Sequence, residues 1–447
     1  MKKSNSNISV CVIGAGPSGI TAIKNVLQVG VSKVVCYEQN DQVGGNWIFS
    51  TDKTHSSVYE TTHIITSKTM SQYSDYPMPD HYPDYPSHQQ LLDYFQGYAR
   101  HFNLLPYIQF NTKVMAVEKL EGDQWLVKTD KGDTQIFDYV LVCNGHHSVP
   151  KMPKFKGDFT GRLLHSRDYK HNRIFADERV LVVGLGNSGC DCAVEISRTA
   201  RFVGLSQRSP QYIVPKFFMG RATDTYNNSV TWMPKFIGNF FKKKMIQLVV
   251  GTYDKYGLLV PKFPVAKSLP TVNDELLYKI RHGKVHVRRG VERLSGKEVH
   301  FSDGKVEEYD TIIAATGYKL ATPFIDKSLL DYSEASEVPL YLRIFNLDHK
   351  GLIFIGLVNP QGAIWRVSDV QAQLVANYVA GNWQYPNNVR NLMRKDLDHT
   401  ASNFLHDKKY VISEHLKPYL QKLDKAMPSN APVWGEIDHN IKKPVSF

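Results

Sequence analysis

The sequence lacks the features of a membrane-spanning, secreted or metal-binding protein. No apolar run approaches the length of a membrane span, and the first residues contain no apolar core of a signal peptide. Its five cysteines include no pair with the two-residue gap of a zinc or redox motif. The sequence therefore predicts reduced thiols, no metal site, no membrane association and a cytoplasmic location.

The composition also excludes a disordered chain and gives no sign of a nucleic-acid partner. The chain has 447 residues, of which 42% are hydrophobic and 22% charged, as in globular proteins. The net charge is +11, but the densest cationic run is only Lys242-Lys243-Lys244, which is typical of a solvated face. We expect small anionic ligands and no nucleic acid.

A glycine-rich turn follows the first apolar segment, at residues 8–13, and precedes an apolar helical stretch at residues 20–26. Strand, turn and helix in this order form a dinucleotide-binding unit, in which glycines allow a tight turn and the helix N-terminus faces the pyrophosphate. The motif residues are Gly14, Gly16, Pro17, Ser18 and Gly19.

The nucleotide of this first unit is predicted to be FAD. A second strand-like segment ends in Glu38, about 20 residues beyond the glycines, where a carboxylate accepts hydrogen bonds from ribose and repels a 2′-phosphate. The following Gly44-Gly45-Asn46-Trp47 lets the chain pass close to a ligand, and Trp47 can cover a ring. Glu38, Gly45, Asn46 and Trp47 are therefore candidate FAD residues.

A second glycine-rich turn, after the apolar segment 180–183, predicts a second nucleotide site. The strand that follows runs into Arg208 and Ser209 and has no acidic residue at its end. Arginine and serine bind a 2′-phosphate through charge and hydrogen bonds, which favours NADP over NAD. The candidate residues of the turn are Gly184, Gly186, Asn187, Ser188 and Gly189.

These segments predict an α/β fold with two Rossmann-like dinucleotide-binding domains, the smaller NADP domain inserted in the larger FAD domain. We place the first part of the FAD domain at residues 1–170, the NADP domain at 171–314 and the second part of the FAD domain at 315–447. Aromatic residues, lysines and prolines at 216–269 indicate a helical insertion in the NADP domain.

The segment between the two glycine turns carries a more specific pattern. Phe159, Gly161, His165 and Tyr169 match the F-x-G-x-x-x-H-x-x-x-[F/Y] signature of class B flavin-dependent monooxygenases. Over nearly its whole length the chain resembles the flavin-containing monooxygenase family. The other matching pieces are Thr66-Ser67-Lys68, Tyr73-Ser74-Asp75-Tyr76-Pro77-Met78-Pro79, Asn144-Gly145-His146-His147, Ala315-Thr316-Gly317-Tyr318, Gly362-Ala363-Ile364 and Gln371-Ala372.

The resemblance implies an enzyme that uses FAD and NADPH. In this family NADPH reduces FAD, O2 adds to flavin C4a as a hydroperoxide, and a soft nitrogen or sulfur nucleophile takes the distal oxygen. No protein nucleophile is needed. The resemblance adds further candidate residues: Thr66, Lys68, Gly145 and Gln361 for FAD, and Thr316, Gly317 and Tyr318 for NADP.

The resemblance also bears on the roles of His165, Ile65 and Arg366. By residue type His165 could be a general base or a structural histidine, and the family favours a hinge or packing role. Ile65 stands where the family often has an asparagine near flavin C4a, and it cannot donate a side-chain hydrogen bond. Thr66, His63 or NADP then takes over that function, or more H2O2 escapes. Arg366 replaces a common proline.

The predicted activity is transfer of one oxygen atom from O2 to an amine, a thioether or an indole. Two alternatives stay open at this point: Baeyer–Villiger oxygenation of ketones, and an NADPH oxidase or reductase without oxygen transfer. Type I Baeyer–Villiger enzymes end the signature with tryptophan followed by proline or aspartate, unlike Tyr169-Lys170. A homodimer is compatible with the aromatic content of residues 216–269.

Overall fold

The structure, a computed structural model, describes residues 7–51, 57–228 and 235–429. These residues form two compact units. The first comprises the described parts of Met1–Ile48, Lys68–Val149 and Lys319–Phe447, and the second comprises those of Phe49–Ser67 and Pro150–Tyr318.

The described residues contain both helices and strands. The helices are α1 Pro17–Gln28, α2 Lys68–Ser71, α3 His88–His101, α4 Asn187–Ile196, α5 Lys235–Val250, α6 Leu276–Arg281, α7 Ile364–Val379, α8 Val389–Asn403 and α9 Leu416–Ala426. The strands up to the second glycine turn are β1 Ser9–Ile13, β2 Lys33–Tyr37, β3 Ile108–Gln109, β4 Val114–Lys119, β5 Trp125–Thr129, β6 Thr134–Phe137, β7 Tyr139–Val142, β8 Val149–Pro150, β9 Arg162–His165 and β10 Arg179–Val183. Those that follow are β11 Phe202–Ser206, β12 Ile213–Val214, β13 Phe217–Phe218, β14 Arg221–Ala222, β15 Thr271–Val272, β16 His286–Arg288, β17 Val291–Ser295, β18 Glu298–Phe301, β19 Val306–Glu308, β20 Thr311–Ala314, β21 Tyr318–Lys319, β22 Leu340–Tyr341, β23 Phe345–Asn346, β24 Leu352–Phe354, β25 Asn359–Pro360 and β26 Ser413–Glu414.

The first unit is built on a seven-stranded sheet in the order β22-β23-β24-β7-β1-β2-β3. Strands β24, β7, β1, β2 and β3 run parallel, while β22 and β23 pair antiparallel at one edge. In β1, Val10, Cys11 and Val12 are fully buried, as expected for a parallel strand covered on both faces. Each such valine contributes about 1.5–3 kcal/mol relative to an exposed side chain.

The second unit is built on a five-stranded parallel sheet in the order β16-β11-β10-β20-β9. Its central strand, β10, continues into the second glycine turn and then α4. An antiparallel three-stranded sheet, β17-β18-β19, lies beyond it in the chain, and a similar sheet, β4-β5-β6, belongs to the first unit. This architecture confirms the predicted α/β class with two Rossmann-like units.

The boundaries of the compact units differ from the predicted domain boundaries at three places, one of which is residues 315–318, which group with the second unit. Residues 150–170 group with the second unit because β9 pairs with β20 in its sheet. Residues 49–67 group there too. Lys170 Nζ donates to the Val58 carbonyl at 3.1 Å, and the rings of Tyr59 and Tyr169 lie 5.4 Å apart. Contacts between residues so distant in sequence cannot be derived from local patterns.

The segment 216–269 is only partly helical in the residues that the structure describes. It contains the 16-residue α5, short 3-10 turns and the small β13–β14 hairpin. Residues 229–234 of the predicted insertion lie outside the described residues. Across the described ranges, the search for a helix long and apolar enough to span a membrane found none.

Two candidate nucleotide sites

The first glycine turn has the tight geometry that dinucleotide binding requires. Gly14 has φ +98°, a left-handed value that a side chain would strain. A Cβ on Gly19 would lie 1.8 Å from the Gly14 carbonyl oxygen, so α1 packs directly on the turn. Helix α1 begins at Pro17, and no side chain of the described residues caps its N-terminus at Gly16. No side chain among those described therefore blocks the approach of a phosphate to this helix N-terminus, although the Gly19 and Ile20 N–H groups donate to the Gly16 carbonyl.

Glu38 lies beside this turn, at the end of β2. Its carboxylate accepts hydrogen bonds from the Ala15 backbone N–H at 2.6 Å and from the Asn40 backbone N–H at 2.8 Å. Burial raises the pKa of Glu38, and these hydrogen bonds partly offset that effect. The buried carboxyl is thus held rigidly next to the turn, where it can accept hydrogen bonds from a ribose.

The Gly44–Trp47 segment also lies against the turn. A Cβ on Gly45 would come within 2.9 Å of the Gly16 Cα, so the two backbones are in direct contact. The Trp47 ring packs edge-on against Trp365 at 5.6 Å, and its centroid lies 6.5 Å from that of the tilted Phe95 ring. Trp47 is therefore part of an aromatic cluster of the first unit.

Several other predicted FAD residues already have protein partners. Lys68 Nζ donates to the carbonyl oxygens of Asp80 at 3.0 Å and Tyr82 at 2.8 Å, with a third contact to the Pro79 carbonyl. The Ser18 hydroxyl is 2.8 Å from the Ser368 hydroxyl.

Gln361 and Gly145 lie at other loops of the same unit. Gln361 Oε1 lies 3.1 Å from His415 Nδ1, and the Gln361 N–H donates to the Glu414 carbonyl. Gly145 has φ +69°, and a Cβ there would meet open space. This leaves room at Gly145 for a ligand.

The second glycine turn repeats the geometry of the first. A Cβ on Gly189 would lie 2.1 Å from the Gly184 carbonyl oxygen, and one on Gly184 would lie 2.3 Å from the Ala315 oxygen. By contrast, a Cβ on Gly186 would meet no heavy atom within 4 Å. The middle glycine thus faces open space at the N-terminus of α4, where a pyrophosphate could approach.

The side chain of Asn187 serves the protein itself. Its Oδ1 accepts a hydrogen bond from the Val272 N–H at 2.8 Å, and Thr271 Oγ1 donates to the Leu185 carbonyl at 2.9 Å. Strand β15 therefore holds the glycine turn in place.

Arg208 and Ser209 are exposed immediately beyond the carboxyl end of β11. Their neighbours belong to β16, because the Gln207 N–H donates to the Arg288 carbonyl. Arg288 is paired with Glu307 at 2.6 Å, and the Arg208 side chain lies next to Gly290. The preceding residue, Arg289, is half-buried and donates to the Gly257 carbonyl at 3.1 Å. Arg289 is not among the residues predicted from the sequence, and a pair of arginines at the end of a strand makes it a further candidate for a phosphate site.

His165 joins the signature segment to the predicted NADP loop of the same unit. His165 Nε2 lies 3.0 Å from the Gly317 carbonyl oxygen, and Nδ1 accepts from the Arg167 N–H at 3.1 Å. Its ring packs edge-on against Tyr318 at 5.2 Å, and the Thr316 hydroxyl donates to the Lys151 carbonyl. Burial lowers the pKa of His165, and both ring nitrogens are occupied. This geometry suits a packing residue.

The other signature residues are fixed by packing. A Cβ on Gly161 would lie 2.5 Å from the Asp310 carbonyl oxygen and 2.6 Å from the Phe159 ring. Tyr169 is buried and stacks on Phe175 at 5.9 Å. Ile65, 38% exposed, and Thr66 belong to the second unit, where the next residue, Ser67, donates its N–H to Asp224.

Comparison with known proteins identifies the class. Residues 7–429 match the family described as flavin-binding monooxygenase-like, and the chain belongs to this family. It is 37% identical to flavin-containing monooxygenase 5 of Rattus norvegicus over 427 residues, covering 91% of this chain and 79% of that protein. It is 34% identical to flavin-containing monooxygenase 3 of Oryctolagus cuniculus, over 84% of this chain and 75% of that one.

Solved structures show the same fold at lower sequence identity. The S-allyl-L-cysteine S-oxygenase of Allium sativum matches with a TM-score of 0.69 at 20% identity, covering 94% of this chain and 88% of that one. The NADP+-bound cyclohexanone monooxygenase of Rhodococcus sp. Phi1 matches with a TM-score of 0.71 at 18% identity, covering 94% and 97%. The protein is thus a flavin monooxygenase that uses FAD and NADPH.

Proposed function

We propose that the enzyme transfers one oxygen atom from O2 to a soft nitrogen or sulfur nucleophile, such as an amine, a thioether or an indole. The observation that carries this proposal is the end of the signature segment, Tyr169-Lys170, in place of the tryptophan of type I Baeyer–Villiger enzymes. Tyr169 is buried in the core of its unit, and Lys170 is bonded to the Val58 carbonyl.

We assign FAD to the first unit and NADP to the second. The glycine turn from Gly14 to Gly19 and the N-terminus of α1 bind the pyrophosphate of FAD, and Glu38 accepts hydrogen bonds from its ribose. In the second unit the turn from Gly184 to Gly189 binds the pyrophosphate of NADP, and Arg208, Ser209 and Arg289 bind the 2′-phosphate. The buried Glu38 carboxylate and the open face of Gly186 support these assignments.

The protein contributes binding and orientation in this proposal. The bound flavin supplies the redox and oxygen chemistry. Overall, NADPH, a proton, O2 and the substrate give NADP+, water and the oxygenated product. His165 holds the Gly317 loop through its carbonyl, and Lys68 holds the turn 79–82. Neither residue needs to transfer a proton for this role.

Product analysis tests the proposed substrate class. Purified enzyme with FAD would be given NADPH and O2 with a tertiary amine, a thioether or a cyclic ketone, and without substrate. We expect an N-oxide from the amine and a sulfoxide from the thioether, with H2O2 accounting for the remainder of the NADPH and O2 consumed. An ester from the ketone alone would favour Baeyer–Villiger activity. NADPH consumption that yields only H2O2 with every substrate would contradict the proposal.

Location and assembly are part of the same proposal. We infer a cytoplasmic enzyme, which five free and buried cysteines support. We also infer a homodimer formed through the 216–269 segment, where several large apolar side chains are exposed. These residues are Phe217, Met219, Phe240, Leu248, Val249 and Val260.

A further inference from the structure

Gly356, just beyond β24, brings the end of that strand into contact with the first turn of α1. Its φ is +83°, a left-handed value that favours glycine. A Cβ there would lie 2.3 Å from Ser18 Oγ and 3.1 Å from Ser368 Oγ. This turn therefore packs directly against the helix N-terminus that we assign to the FAD pyrophosphate.

The position of this turn is held by a buried amide. The Gly356 N–H donates to Gln371 Oε1 at 2.9 Å, and Gln371 Nε2 donates to the Tyr419 hydroxyl at 2.7 Å. That hydroxyl in turn donates to the Leu342 carbonyl at 2.5 Å. Gln371 is fully buried and Tyr419 nearly so. These three hydrogen bonds run in series from the Gly356 N–H to the Leu342 carbonyl, and together they fix the orientation of the Gln371 amide.

We propose that Gln371 is a positioning residue for FAD, acting through the Gly356 turn and oriented by Tyr419. The inference rests on the assignment of FAD to the first unit. Without the Gln371 amide, the buried Gly356 N–H has no acceptor, and the turn must move to satisfy it. Movement of this turn displaces Ser18 and the helix N-terminus that it contacts. The affinity for FAD then falls by more than the accompanying loss of folding stability would explain.

The test compares two buried glutamines on α7. Gln371→Leu removes the amide with little change in volume. Gln373→Leu is the control, because Gln373 is also buried but donates to Asp369 of the same helix at 3.1 Å. Full-length apoprotein of each variant would be titrated with FAD, and its thermal midpoint measured. We expect about a tenfold or greater loss of FAD affinity for Gln371→Leu, as for a lost buried hydrogen bond. For Gln373→Leu, the change in the logarithm of the FAD dissociation constant should be less than half as large, while the thermal midpoints of the two variants are similar.

A second variant keeps the test decisive if Gln371→Leu fails to fold. Tyr419→Phe removes only the hydroxyl that orients Gln371, and it should weaken FAD binding about three- to tenfold. The double variant should bind FAD no more weakly than Gln371→Leu, because both act through one turn. Unchanged FAD affinity in Tyr419→Phe, additive losses in the double variant, or equal losses in Gln371→Leu and Gln373→Leu would each overturn the positioning role. Failure of the wild-type protein to bind FAD would instead refute the proposed function.

Discussion

At the scale of single residues, the two units differ at the end of the second strand of each glycine motif. Glu38 follows β2 and is 4% exposed, whereas Arg208 occurs two residues after β11 and is exposed. A carboxylate at this place repels a 2′-phosphate, and a guanidinium attracts it. The different residue types at these two strand ends therefore support the proposed assignment of FAD to the first unit and NADP to the second.

Arg208→Ala should weaken NADPH binding by about tenfold or more while leaving NADH binding nearly unchanged, because only NADPH carries the 2′-phosphate. Dissociation constants for both nucleotides would be measured by titration. Arg281→Ala is the matched control, since Arg281 is exposed in the same unit and bonds the Lys255 carbonyl. Equal losses for NADPH and NADH would show that Arg208 does not recognise the 2′-phosphate.

Ile65→Asn should lower the fraction of consumed NADPH that ends as H2O2. Asparagine restores a side-chain donor at a position where isoleucine has none, and the family resemblance places that position near the flavin. H2O2 and oxygenated product would be quantified together in steady state. Ile65→Leu controls for volume and should leave the H2O2 fraction unchanged. If the Ile65→Asn variant releases as much H2O2 as the wild type, the residue at position 65 does not determine how much H2O2 is released.

At the scale of elements, the glycines of the second turn have different physical tasks. Gly189→Ala should destabilise the protein by about 1–3 kcal/mol, because its Cβ would lie 2.1 Å from the Gly184 oxygen. Gly186→Ala should leave stability almost unchanged, since its Cβ meets open space and its φ is −81°. The same variant should lose NADPH affinity, because the methyl group occupies the proposed path of the pyrophosphate.

Thermal midpoints and NADPH titrations of both glycine variants check these two expectations. Gly16→Ala is the control in the first unit. This variant should weaken FAD binding and leave NADPH binding intact. Normal NADPH affinity in Gly186→Ala would place the pyrophosphate elsewhere.

Burial of Asp191 on α4 should make the stability of the second unit depend on pH. Asp191 accepts from Asn273 Nδ2 at 2.7 Å and from the Tyr59 hydroxyl. Burial raises the pKa of Asp191 from 3.8 to about 6, against the effect of these hydrogen bonds. A carboxyl whose pKa is higher in the folded state binds more protons folded than unfolded between the two values. Its contribution therefore falls as pH rises from about 4 to 6, by about 3 kcal/mol in all.

Asp191→Asn should remove this dependence, because the amide carries no titrating proton. Relative to wild type, the variant should gain stability between pH 4 and pH 7. Thermal midpoints of both proteins across this range provide the measurement. Asp254→Asn, at an exposed aspartate, should show no such gain. Parallel pH profiles for Asp191→Asn and wild type would contradict the raised pKa.

The regular elements could largely be predicted from the sequence, because local patterns determine them. The apolar segments at 8–13 and 180–183 correspond to strands β1 and β10, as expected, and the predicted helical stretch at 20–26 lies within α1. The partners of polar site residues could not be predicted. Ser18 meets Ser368, and Gly356 meets Gln371, through contacts that only tertiary packing creates.

At the scale of the whole molecule, positive charge and exposed apolar side chains coexist in the second unit. The net charge of +11 favours anionic cofactors through long-range attraction. It does not account for large apolar side chains in water, such as Leu248, 82% exposed, and Phe240, 59% exposed, both on α5. Several exposed apolar residues in one segment are typical of an association surface.

Leu248→Glu should convert the proposed dimer into a monomer, because a buried, unpaired carboxylate at a subunit interface opposes association. The molar mass would be measured by size-exclusion chromatography with light scattering over a range of protein concentrations. Met115→Glu is the matched control, since Met115 is 53% exposed in the first unit and lies outside the proposed interface. The control should remain a dimer, and both variants should retain their FAD. A wild-type protein that stays monomeric at every concentration, or a Leu248→Glu variant with the mass of a dimer, would contradict this interface.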